Sequence, residues 1–245
     1  MKKLFKFLSL IVLALVIGGG IFLYLNFGSI AKNMAEKIAT NALGVNVSIS
    51  SLSVSLKDKT ATVKGIKIAN PSGFKNRHII TVSEVDVGLK AFSKALINFN
   101  DIQVNGGVIN LEITEKGTNL QALKELAGRK KQRDSVGSEA IRVIIEKMVI
   151  NQSTINPSIT LLNKDIGTIK LPAVRLSGIG TKSNGVLAKE AVSQILIEYI
   201  RAAEKQISKE GLLVDKDAVL NKAKDKVNEK VNDSLKDITK DIKLF

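Results

Sequence analysis

Two carboxylates, Glu84 and Asp86, stand at i and i+2 in the segment Thr81–Lys90, and His78 lies a few residues before them. Residues two apart on a strand project from the same face, so the pair has a spacing suited to general acid–base work. The sequence offers no recognisable nucleophile or second base beside it, and strands that face water ordinarily carry such charges. His78 is the single histidine of a 245-residue chain without cysteine, so it cannot head a zinc site. The polar stretch Lys75-Asn76-Arg77 places it in a surface loop. Ser177–Ser183 (SGIGTKS) approximates a phosphate loop, but Thr181 stands where the glycine before Lys182-Ser183 is required. The expectation is a non-enzymatic protein with no metal and no cofactor.

The elements that would carry these residues are mostly short strands. Val45, Val47 and Ile49 alternate with polar residues, and Leu52, Val54 and Leu56 resume in the opposite phase. One extra residue near Ser50-Ser51, a bulge, would account for the switch. The next strand repeats the slip, with Ala61 and Val63 giving way to Ile66 and Ile68 across Gly65. Two neighbouring strands with a mid-length slip predict a strongly curved sheet. Asn70-Pro71-Ser72-Gly73-Phe74 then makes a turn: Pro71 fixes its own φ and extends Asn70, Gly73 permits a positive φ, and Phe74 is expected to plug the sheet edge. The motif is read as structural. Val82, Val85, Val87 and Leu89 form the next apolar face, and Ala91–Leu96 is expected to be a short helical connection. Ile97, Phe99, Ile102 and Val104 lead to Gly106-Gly107, read as a hairpin into Val108–Thr114 with Ile109 and Leu111.

Helical spacing appears in three places. Ser29–Leu43 has Ile30, Met34 and Ile38 on its packing face and Gly44 at the C-cap position. Asn119–Ala127 is a short helix ending at Gly128. From Gly185 the period is helical to the end, with a break at Gly211 and a narrow valine-rich stripe from Leu220 to Ile242. That last polar face mixes both signs, which favours packing on the sheet or on a partner over lying in lipid.

At the N-terminus, Lys2, Lys3 and Lys6 precede Phe7–Leu25, about 19 residues without a charge and long enough to cross most of a ~30 Å hydrocarbon core. An uncleaved single span with the N-terminus cytoplasmic is expected. The net charge of +14 suits anionic head groups. No basic stretch is interleaved with aromatics, which argues against nucleic acid. Aromatics are 4% with no Trp, so the core must be Ile, Val and Leu. The expected fold is α+β, with a transmembrane helix, a curved, mostly antiparallel sheet and C-terminal amphipathic helices. The divisions are 1–28 anchor, 29–128 helix and sheet, 129–137 basic linker, 138–184 second diverged β unit and 185–245 helical region.

The order of pieces from Val45 to Leu126 resembles the AsmA-like family: a strand, an NPxGF turn (Asn70–Phe74), an acidic alternating strand, an I-x-V-x-G strand (Ile102–Gly106), a V-I-x-x-E strand (Val108–Glu112) and N-L-x-x-L (Asn119–Leu123). The resemblance implies a bacterial inner-membrane protein with its bulk in the periplasm, binding lipid acyl chains in a curved β-groove or supporting membrane biogenesis and lipid homeostasis. Typical members are several times longer, so one short unit cannot bridge an envelope. Val54, Leu56, Val63, Ile66, Ile68, Val85, Val87, Leu89, Ile102, Val104, Ile109 and Leu111 are the candidate groove lining. The same residues would equally make an ordinary filled core in a scaffold that binds an envelope partner through its C-terminal helices.

Overall fold

Residues 28–43 form helix α1, which closes at Gly44 with a left-handed φ of +71° and a Gly44 N–H bond to the Thr40 carbonyl. The computed structural model describes residues 28–93, 95–114, 117–129, 141–159, 164–165 and 167–211. The charge-free run Phe7–Leu25, most of the basic linker and the stripe from Leu220 onward lie outside the described residues. Among the described residues, no helix is long and apolar enough to cross a membrane.

α1 runs beside strand β1 (Val47–Ser55) and fills the edge that β1 would otherwise leave open. Glu36 Oε1 accepts from the Ile49 N–H at 2.6 Å, and Thr40 Oγ1 accepts from the Val47 N–H at 3.0 Å. Two side chains four apart on a helix thus satisfy two outward amides of an edge strand, which blocks pairing with another chain. Burial acts to raise the Glu36 pKa, but the Ile49 amide and Lys32 outweigh it and hold the carboxyl below its usual range. These contacts fix the rotation of α1. Ala42 and Leu43 are buried while Ile30 and Met34 are exposed, which corrects the expected packing face.

β1 begins an α+β fold around one 11-stranded, mostly antiparallel and curved sheet. β2 (Thr60–Ala69), β3 (His78–Phe92) and β4 (Leu96–Thr114) follow in antiparallel order. Thr118 caps helix α2 (Asn119–Gly128) through a capping box with Gln121, just after the two-residue β5 (Gly117–Thr118). β4 then pairs in parallel with β6 (Arg142–Ile150) along its first half and with β7 (Ser153–Ile159) along its second. β8 (Lys164–Asp165) and β9 (Ile169–Leu171) pair with β7, while β10 (Val174–Ile179) and β11 (Val186–Leu187) pair with β6. Strands from both expected β units therefore belong to one sheet. Helix α3 (Ala188–Lys209) packs on α2, β6, β9, β10 and β11, and Gly211 follows it at a φ of +72°.

Three local expectations need correction. Gly106-Gly107 is not a hairpin: β4 runs through it as a single 19-residue strand. Ala91–Leu96 is not helical. Ala91 and Phe92 stay in β3, and the Ser93 N–H closes a tight turn onto the Leu96 carbonyl at 2.8 Å. Ser50-Ser51 holds no bulge, because the register passes from Ile49↔Ile66 to Ser51↔Lys64 without an extra residue.

A crease accounts for both the phase slips and the misread glycines. Ser50 stands opposite Gly65, Gly65 opposite Ser83, and Ser83 opposite Gly106, in one line across four strands. Gly65 and Gly106 have φ of +64° and +68°, a region cheap for glycine alone. A Cβ at either would come within 2.3 Å or 2.4 Å of the Oγ of Ser50 or Ser83. The left-handed residue resets the alternation. Val63 and Ile66, three apart, therefore both face inward, while Lys64 and Lys67 are both exposed. At the end of the line β6 gives way to β7 through Asn151 and Gln152, the latter at a φ of +51°.

Candidate functional site

The inward rows of the sheet show where ligand could reach apolar surface. On one side of the crease, Leu52, Val63, Val85, Val104 and Ile150 pair in sequence across five strands, and Val54, Ala61, Val87, Ile102 and Met148 make the next row. Along both rows burial deepens with strand position. Leu52, Val54, Ala61, Val63, Val85 and Val87 are half-buried, whereas Val104, Ile150, Ile102 and Met148 are buried. Leu89 is half-buried and Leu56, just past β1, is 45% exposed. On the other side of the crease the row Val47, Ile68, Ile80, Ile109 and Ile155 is closed, with Ile109 and Leu111 at 0% exposure beneath the helical layer.

The twelve candidate lining residues therefore separate. Val54, Leu56, Val63, Val85, Val87 and Leu89 share a half-open strip on β1–β3, and Ile66 lies half-buried across the crease. Ile68, Ile102, Val104, Ile109 and Leu111 belong to the closed core. At ~4.8 Å between strands and ~3.3 Å per residue, three strands and the five positions Leu52–Leu56 give a patch of roughly 14 by 16 Å. Covering it would contribute at most ~6 kcal/mol at ~25 cal/mol per Å², before the costs of association. That is a patch for part of one acyl chain.

The motif turn is held from the far side of β4. Glu112 is 2% exposed, and its carboxylate accepts from Asn70 Nδ2 at 2.6 Å, the Asn76 N–H at 2.7 Å and the Lys75 N–H at 2.8 Å. Asn70 Nδ2 also donates to the Asn76 carbonyl, and Asn70 Oδ1 accepts from Asn119 Nδ2 at 3.1 Å. Asn119 in turn acts as a peptide unit would. Its Oδ1 accepts from the Glu112 N–H at 2.9 Å and its Nδ2 donates to the Asn110 carbonyl at 2.8 Å, on the stretch of β4 just past the Ile80↔Ile109 pair where its register with β3 ends. Buried polar groups need such partners. Glu112 and Asn119 were named by the motif spacing, yet nothing local in the sequence assigned them this role. Within the turn, Pro71 is buried, Gly73 has a φ of +96° and Phe74 is half-buried, so the carboxylate rather than the phenyl ring pins the loop.

The other chemistry-bearing residues have structural partners. Glu84 pairs with Lys64 at 3.0 Å, and Asp86 accepts from Thr62 Oγ1 at 3.0 Å. His78 opens β3 as a half-buried strand residue, not a loop residue. Desolvation, with Arg77 and Lys67 nearby, lowers its pKa. Ser177–Ile179 ends β10 and Gly180–Asn184 is a turn leading to β11, so this loop does not open directly into a helix. A cleft of about 580 Å³ lies where α1 and α2 end and α3 begins. Its lining includes Lys189, Glu190, Glu198 and Arg201 and no residue of β1–β3. Among the described residues, no group of three or more His, Asp or Glu side chains is placed to hold a metal ion. Comparison with family models, curated proteins and solved structures finds no match for the chain.

Proposed function

We propose that the chain is a membrane-anchored bacterial envelope protein of AsmA-like type that takes part of a lipid acyl chain against the half-open strip of β1–β3. In this reading it sits in the inner membrane as a single-pass protein, N-terminus cytoplasmic and sheet periplasmic, and serves lipid handling or membrane biogenesis. The observation that carries the reading is the gradient of burial along single rows, from half-buried Leu52, Val63 and Val85 to buried Val104 and Ile150. A filled core would close a row at both ends. The convergence of Asn70, Glu112 and Asn119, each from a different motif segment, supports the resemblance. The strip is aliphatic, so it would hold acyl chains without choosing among head groups.

A scaffold without lipid is the second reading, favoured by the complete burial of Ile109 and Leu111 beneath the helices. Mass spectrometry of the full chain purified from membranes separates the two. Lipid that stays bound after washing with lipid-free detergent supports the strip, and its loss at the same rate as bulk lipid supports the scaffold.

A further inference from the structure

We infer that the end of the sheet carrying Leu56 and Phe92 rests on an anionic bilayer surface. Phe92 is 55% exposed at the end of β3 and Leu56 is 45% exposed just past β1. The two lie at the same end, because Ser55 pairs with Thr60, Thr60 with Gly88, and the Leu89 N–H bonds the Lys59 carbonyl at 2.8 Å. Ile30 and Met34, i and i+4 on α1, add exposed apolar surface on the half of the helix nearer that end. Isolated exposed apolar residues are ordinary, but these are joined by charge. The turn between β1 and β2 carries Lys57 and Lys59, and its one acid, Asp58, is tied to Ser55 Oγ at 2.6 Å. Lys59 holds a left-handed φ of +52°, where glycine would be less strained.

The direction of the chain selects a membrane as the occupant. A Cβ at Gly28 would stand 2.7 Å from the Leu52 carbonyl oxygen, while Glu36 reaches Ile49 and Thr40 reaches Val47. α1 therefore starts toward the Leu56 end and runs away from it. The apolar run Phe7–Leu25 stops three positions before Gly28. Apolar tips between lysines match the boundary between head groups and acyl chains. The inference rests on the membrane anchoring proposed above and not on acyl-chain uptake.

The test uses the full chain, which has no cysteine, reconstituted in vesicles of phosphatidylethanolamine and phosphatidylglycerol containing nitroxide-labelled lipid. A fluorophore is placed through Ala91→Cys beside Phe92, or through Ser72→Cys in the motif turn at the opposite end. Quenching at position 91 and none at position 72 is expected. Lys57→Gln with Lys59→Gly should lower the docked population about fivefold per charge, and raised salt should act the same way. The glycine variant should keep or improve thermal stability, so loss of docking cannot be mistaken for unfolding. Equal quenching at both positions, quenching at 72 alone, or no quenching at 91 overturns the inference. So does quenching at 91 that survives both charge removal and replacement of phosphatidylglycerol by phosphatidylcholine. Docking read from the probe and acyl-chain binding read from retained lipid can fail separately, which keeps the two proposals distinguishable.

Discussion

The side-chain amide of Asn70 donates to the Glu112 carboxylate at 2.6 Å, joining residues 42 positions apart. With the Lys75 and Asn76 amides on the same carboxylate, one buried charge organises the whole motif turn.

Glu112→Ala should therefore cost about 3 kcal/mol, since it strips three donors of a charged acceptor. Glu112→Gln should recover little of that loss, because its NH₂ would face donors. Denaturant unfolding measures both, and a cost below about 1 kcal/mol for Glu112→Ala would show that the turn holds by other means.

Phe74→Ala should be milder. A half-buried ring contributes less than a core phenylalanine, so about 1–2 kcal/mol is expected instead of the 3–5 typical of full burial. A larger cost would restore the ring as the plug of the sheet edge.

The crease makes a separate claim. Gly65→Ala and Gly106→Ala should each destabilise by about 1–2 kcal/mol from the left-handed backbone alone, with more from the serine clash. Pairing Gly65→Ala with Ser50→Gly removes the contact at 2.3 Å but leaves the φ of +64°. Partial recovery of the melting temperature is the expected result, and full recovery would mean that packing, not backbone, sets the crease.

Much of this architecture was legible because local periods carry it. Gly44 and Gly128 marked two helix ends, and the helical period from Gly185 to its break at Gly211 marked α3. The crease was not legible in its true form. Gly106-Gly107 between alternating apolar residues satisfies a hairpin rule, and only the cross-strand alignment of Ser50, Gly65, Ser83 and Gly106 reveals a continuous strand. Glu112 was hidden for the same reason: its donors arrive from residues 36 to 42 positions away. The division of the groove candidates into open and closed halves depends on where α2 and α3 settle, which strand periodicity does not encode.

The half-open strip is tested most directly by comparing Val87→Asp with Val104→Asp in the full chain, reading circular dichroism and retained lipid together. Their rows lie on the same side of the crease, but Val87 is half-buried and Val104 is buried. A carboxylate at Val87 can be hydrated, so that variant should stay folded and lose its lipid. At Val104 the same charge is stranded in the core and should unfold the domain. A folded Val87→Asp protein that keeps its lipid, or collapse of both variants alike, would contradict acyl-chain binding on β1–β3.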